Sequence, residues 1–168
     1  MITRTYAKGD SSSTATYSEC EKYRYSLTRI WNDSGKRVNF IMLNPSTATE
    51  LQNDPTVERC ERRARTLGYG SFAVTNIFAW RDTDPRAMKT ASDPIGPEND
   101  ASIIKQAEWA NDLIAAWGTH GAHLERGSAV KSMLQFTNQP LFHLGLSKAG
   151  HPRHPLYLPY VQPPERWV

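Results

Sequence analysis

The sequence predicts an α/β domain of three layers, with helices on both faces of a short, mostly parallel sheet of about four strands and an N-terminal antiparallel strand added to it. Two observations carry this. Strand-like and helix-like segments alternate from Arg37 to Leu144. The length of 168 residues, with 39% apolar and 22% charged side chains, suits one folded core spanning residues 1–168.

Residues 1–20 are polar and rich in Ser and Thr, and read as a loosely ordered lead-in. Tyr23 to Trp31 alternates in the manner of a strand, and Asn32-Asp33-Ser34-Gly35 is a turn signal. Arg37 to Leu43 is apolar enough for a central strand, so these two segments are expected to pair as an antiparallel hairpin. Asn44-Pro45-Ser46 stops that strand. Asp54-Pro55 then supplies an N-cap and a proline for the first helical turn, and Gly68 ends the helix. Val57, Cys60, Ala64 and Leu67 share one face of that helix, with Arg59, Arg62 and Arg63 opposite, a pattern that fits a solvated surface.

Phe72–Phe78 is a buried strand, and a Pro-rich loop from Arg81 to Pro97 carries a short helix near Pro85. Helix Glu98–Ala110, strand Leu113–Trp117, helix Leu124–Gln135 and strand Leu141–Leu144 follow, and the chain from Gly150 is irregular.

Several classes are excluded. Twenty basic against seventeen acidic side chains leave a net charge of +3 without a basic tail, which argues against a sequence-blind nucleic-acid coat protein. Apolar runs reach only a few residues, whereas a membrane-spanning helix needs about 20. The polar start lacks the apolar core of a secretory leader, so a cytoplasmic protein with two reduced thiols, Cys20 and Cys60, is expected. No CxxC occurs, and no cofactor is called for. The pairs His120/His123 and His151/His154 would together make a four-histidine metal site, but this spacing is common in loops and no metal is expected.

In open parallel sheets, ligands bind beyond the carboxyl ends of the strands. Those positions here are Asn44-Pro45-Ser46-Thr47, Asn76 with Trp80-Arg81-Asp82, Gly118-Thr119-His120-Gly121, and Ser147 through Pro155. All are polar or rich in Gly and Pro, which points to a small-ligand or nucleobase pocket. Arg81 and Arg153 flank these motifs and are the phosphate-contact candidates. Asp54 reads as an N-cap before it reads as a catalytic acid.

The segments Met42–Ala48, Asn53–Thr56, Pro94–Asp100, Ala116–Gly118 and Pro152–Leu158 resemble the bacterial and phage family named domain of unknown function 1643. More distantly, the order of motifs is similar to the uracil-DNA glycosylase superfamily. Met42-Leu43-Asn44-Pro45-Ser46 stands where those enzymes have a strand-ending Asn-Pro or Asp-Pro motif, and His154-Pro155-Leu156 where they have a His-Pro-Ser type.

That resemblance implies a glycosylase-like fold and cleavage of an N-glycosidic bond. Asn44 would hold water through its carbonyl, His154 would donate to the departing base, and Asn76 would read a base edge. Asn76 alternatively caps its strand, and Phe78 and Trp80 either stack on the base or belong to the core. Pro45, Ser46, Thr47 and Gly118 would line the pocket. Asn44 replaces the carboxylate of many relatives, and Ser46 a tight glycine. Leu156 or Tyr157 would wedge into a duplex beside Arg153, unless the segment wraps onto the core. The expected partner is a nucleobase, nucleotide or nucleic acid. Two other functions stay open: a non-catalytic module binding a modified base, or a hydrolase of a phosphorylated metabolite held at a helix N-terminus near Thr47 or Asp54.

Overall fold

A computed structural model describes residues 1–156 and 158–168. The chain runs through β1 (Ile2–Lys8), β2 (Ser11–Tyr17), β3 (Arg24–Ile30), β4 (Arg37–Met42), α1 (Pro55–Thr66), β5 (Ser71–Asn76), α2 (Pro85–Thr90) and α3 (Asn99–Trp109). It continues with β6 (Asp112–Ala115), a 3-10 turn at Thr119–Glu125, α4 (Arg126–Leu134), a second 3-10 turn at Gln135–Thr137, β7 (Leu141–His143) and β8 (Glu165–Arg166).

The strands form one mixed sheet of eight, in the order β1-β2-β3-β5-β4-β6-β7-β8. Its centre, β5-β4-β6-β7, is parallel, whereas β1, β2 and β3 extend it antiparallel on one side and β8 on the other. The α/β class holds, but the sheet is larger than the short one expected. Every residue of β5 and β6 is buried, as befits strands covered on both faces.

Core packing follows the alternation of β4. Val38, Phe40 and Met42 cluster with Val57, Cys60 and Ala64 of α1. Ile41 clusters with Ile103 and Ala107 of α3 and Val130 and Leu134 of α4. Each of the fully buried Val, Leu, Ile, Phe and Met side chains contributes about 1.5–3 kcal/mol.

Three expectations are corrected. Residues 1–20 are not a loose lead-in: Gly9, at φ +59°, turns β1 into β2, and Ser11, Ser13, Ala15 and Tyr17 face inward. β3 and β4 are not a hairpin, because β5 lies between them. Helix Leu124–Gln135 is shorter, because Leu124 and Glu125 adopt left-handed φ values of +55° and +53° and α4 begins only at Arg126.

Three arginines are wholly buried. Arg29 reaches from β3 to Ser13 Oγ, the Thr49 carbonyl and Asn53 Oδ1, and so pins the loop after β4. Arg63 of α1 donates to the Pro159 and Leu158 carbonyl oxygens. Arg24 opens β3 and is described with the cleft. Cys20 is an exposed free thiol and Cys60 a buried one. No helix among the described residues is long and apolar enough to cross a membrane.

Candidate functional site

The carboxyl ends of β4, β5 and β6, together with the segment after β7, surround a cleft of 470 Å³. Asn44, Pro45, Ser46, Asn76, Gly118 and His154 all line it. The proline at 45 has no N–H to continue a ladder, so the chain leaves the sheet here. Gly118 holds φ +73° and ψ −171°, a region close to glycine-only, and directs the chain from β6 across the opening. Its N–H donates to the Pro152 carbonyl at 2.8 Å, which ties this turn to the segment bearing His154.

Asn44 is oriented by its neighbours. Its Nδ2 donates to the carbonyl oxygens of Asp82 at 2.7 Å and Pro45 at 3.3 Å. The Asp82 N–H donates back to the Pro45 carbonyl at 2.9 Å, lacing the two loops together. With both carbonyls fixing the amide, Asn44 Oδ1 is the atom left to accept, and it has no partner among the described residues.

His154 has a defined tautomer. Its Nδ1 accepts the Leu156 N–H at 3.2 Å, so the proton of the neutral ring sits on Nε2. Burial holds its pKa below the usual imidazole value, against an opposing pull from the Asp54 carboxylate. The ring is therefore a neutral donor near pH 7.

Asp54 is the N-cap of α1, and its Oδ1 accepts the Val57 N–H at 2.8 Å. Its Oδ2 accepts the Ala48 N–H at 3.1 Å, which fixes the loop after Asn44. Asn76 has its Oδ1 turned towards Arg24 Nη2 at 3.4 Å, leaving Nδ2 without a partner among the described residues, while the Asn76 carbonyl accepts from Asn99 Nδ2 at 2.8 Å. The cleft thus offers an acceptor at Asn44 and donors at Asn76 and His154.

Five expected residues lie elsewhere. Thr47 is exposed and off the cleft. Phe78 is fully buried against α3 and the other core residues, because the backbone beyond β5 stays bonded to Leu43 and turns the ring inward. Trp80 packs edge-on against Tyr23. The aromatic wall of the cleft is instead Trp117, whose indole would collide with any side chain at Gly121 or Gly127. Arg81 donates to the Glu21 carbonyl and lies over the Tyr17 ring. Arg153 is exposed and does not line the cleft.

The arginine face of α1 is not simply solvated: Arg59 donates to the Leu158 carbonyl at 2.9 Å and covers the Tyr160 ring. Of the wedge candidates, Leu156 lines the cleft and Tyr157 lies outside the described residues. Among the described residues no three His, Cys, Asp or Glu side chains gather as a metal site. Asp82, Thr119 and His120, from the strand-end segments, also line the cleft, and so do Arg24 and Trp117, which the sequence did not mark as ligand positions.

A comparison with protein families matches residues 24–156 to the one described as "Protein of unknown function (DUF1643)". Comparisons with curated proteins and with solved structures gave no match.

Proposed function

The chain belongs to the DUF1643 family, and from the geometry of its cleft we propose that it recognises a nucleobase and hydrolyses an N-glycosidic bond in a nucleic acid or nucleotide. The observation that carries this is the convergence of Asn44, Asn76, Gly118 and His154 on one cleft, with His154 in its Nε2–H form. In this reading Asn44 Oδ1 holds a water against the sugar carbon. The water oxygen bonds to the sugar carbon as the carbon–nitrogen bond breaks, and the electron pair of that bond leaves with the base. The water's proton ends on the departing base, and His154 Nε2–H and Asn76 Nδ2 donate to the base's oxygens meanwhile. The reading includes a three-layer, uracil-DNA glycosylase-like fold, with α1 over one face of the parallel strands and α3 and α4 over the other. It also includes a reducing, cytoplasmic setting, which two free cysteines suit.

A second reading, a non-catalytic module for a modified base, is favoured by Asn44 itself, because an amide activates water less well than a carboxylate. The phosphorylated-metabolite reading loses support: the Asp54 carboxylate occupies the N-cap of α1, where a phosphate would have to sit.

The test is a panel of damaged and hypermodified bases in single- and double-stranded oligonucleotides, assayed for abasic sites. Wild type should produce them, and His154→Ala should lower the rate by about 10²–10³. Base binding without abasic sites selects the second reading, and unchanged turnover by His154→Ala overturns the first.

A further inference from the structure

Among the described residues, Arg24 is a cation without an anionic partner in contact. It is 1% exposed, yet it lines the cleft. Nη1 donates to the Ala48 carbonyl at 2.9 Å, and Nη2 makes only a long contact of 3.4 Å to Asn76 Oδ1. Nε has no partner among the described residues, and none of their carboxylates lies within ion-pair distance. Asp54 supports the charge from a distance, but both its oxygens are taken by backbone N–H groups. Arg29, on the same strand, likewise has an Nε without a partner and no ion pair among the described residues, but it has four acceptors and does not line the cleft.

Burying a charged group without a paired charge costs several kcal/mol, and burial pulls the Arg24 pKa down to about 10. The guanidinium is a planar fork suited to a carboxylate or other anionic oxygen. The lining is mixed: Met42, Val57, Val74, Trp117 and Leu156 are apolar, while Asp54 and Asp82 also line the cleft, with both Asp54 oxygens taken by backbone N–H groups. The volume, 470 Å³, falls in the range of about 300–1,000 Å³ typical of small-ligand sites.

We propose that Arg24 is a ligand-binding residue and that the cleft takes a planar ring carrying an anionic oxygen on its inner edge, the chemistry of an acidic or carboxylate-bearing nucleobase. The ring identity rests on the nucleobase reading above; the anionic oxygen rests on Arg24 alone. Asn76 Nδ2 supplies a second donor to the same edge. An exocyclic amino group there would face the Arg24 and Asn76 Nδ2 donors, with Asn76 Oδ1 an acceptor already turned towards Arg24.

Calorimetric titration tests this with orotate, uracil, cytosine, benzoate and inorganic phosphate as probes, on wild type, Arg24→Lys and Arg24→Met. Wild type should prefer orotate to uracil by about ten- to a hundredfold, the worth of one hydrogen bond to a charged group, and bind cytosine least. Arg24→Lys should keep part of that preference and Arg24→Met none, with thermal unfolding checking that each variant is folded. The wild-type comparison stands even if Arg24→Met fails to fold. Equal affinity for orotate and uracil makes Arg24 a strut: the inference falls and the nucleobase reading survives. Benzoate or phosphate binding as tightly as orotate, with a loss in Arg24→Lys, keeps the anion site and removes the nucleobase. If no probe binds, both fall.

Discussion

Arg63 of α1 donates from Nη1 to the carbonyl oxygen of Pro159 at 2.7 Å, across 96 residues of sequence. The segment it holds begins just after His154, so a helix on the sheet's flank helps set where the cleft's histidine lies. Arg63→Met keeps most of the volume but leaves the Pro159 and Leu158 carbonyls without their charged donor. It should lower stability by about 2–4 kcal/mol. Urea unfolding measures the loss, and a change below about 0.5 kcal/mol would show that the tail holds itself.

The depressed pKa of His154 has a stability consequence whose sign is fixed. The native state keeps the ring neutral, whereas the unfolded chain protonates near the ordinary value of 6.5. Stability from this site is therefore full above that pH and declines as pH falls below it, because the unfolded state then binds more protons. His154→Asn offers an oxygen in place of Nδ1 and cannot titrate. The wild-type urea midpoint should drop between about pH 7.5 and 5.5 by more than that of the variant. Parallel curves would mean that His154 is solvated like a surface histidine.

Asp54 does two jobs with two oxygens, capping α1 and anchoring Ala48. Asp54→Ala should cost about 2–3 kcal/mol, one contribution for the cap and one for the unmet amide. Asp54→Asn keeps a single acceptor and should lose roughly half of that. Equal losses in the two variants would assign the whole effect to one of the two bonds.

Gly118 is constrained by backbone, not by space. A Cβ there would meet His154 Cβ at 3.8 Å, an ordinary contact. Gly118→Ala should therefore cost about 1–3 kcal/mol of strain. Because Gly118 lines the cleft, any fall in probe affinity should accompany the loss of stability. A loss of binding without a loss of stability would contradict this.

Nucleic acid as the partner has its own check. Arg153 is exposed and free to reach a phosphate. Arg153→Ala should weaken oligonucleotide binding and reduce the slope of log K against log salt by about 1. If the slope is unchanged, a small-molecule ligand is the better partner.

Much of the site was legible because Asn76 ends a parallel strand and Asn44 and Gly118 follow two others, and the sheet's topology brings such ends together. Arg24 escaped because β3 is antiparallel to β5, so its first residue, not its last, lies at that edge. The β1–β2 pair escaped for a different reason. Its inward positions include Ser11 and Ser13, and the Ser13 hydroxyl serves the buried Arg29 and the Glu50 carbonyl. A strand that buries hydroxyls beside a buried cation shows no hydropathy contrast between its faces. Phe78 was ambiguous because an aromatic beyond a strand end is equally suited to a pocket or to the core.

The position of β5 between β3 and β4 bears on how the chain reaches this state. β3 and β4 are joined by only residues 31–36, so their mutual encounter closes a shorter loop than the one either must close to meet β5 across α1, or in β3's case across β4 and α1, and comes before it. That encounter is non-native. Any hairpin formed there must come apart before β5, delayed by α1, can slot in and pair with both. Refolding should then slow rather than accelerate at the lowest denaturant concentrations, a rollover caused by an off-register pair that mild denaturant helps to release.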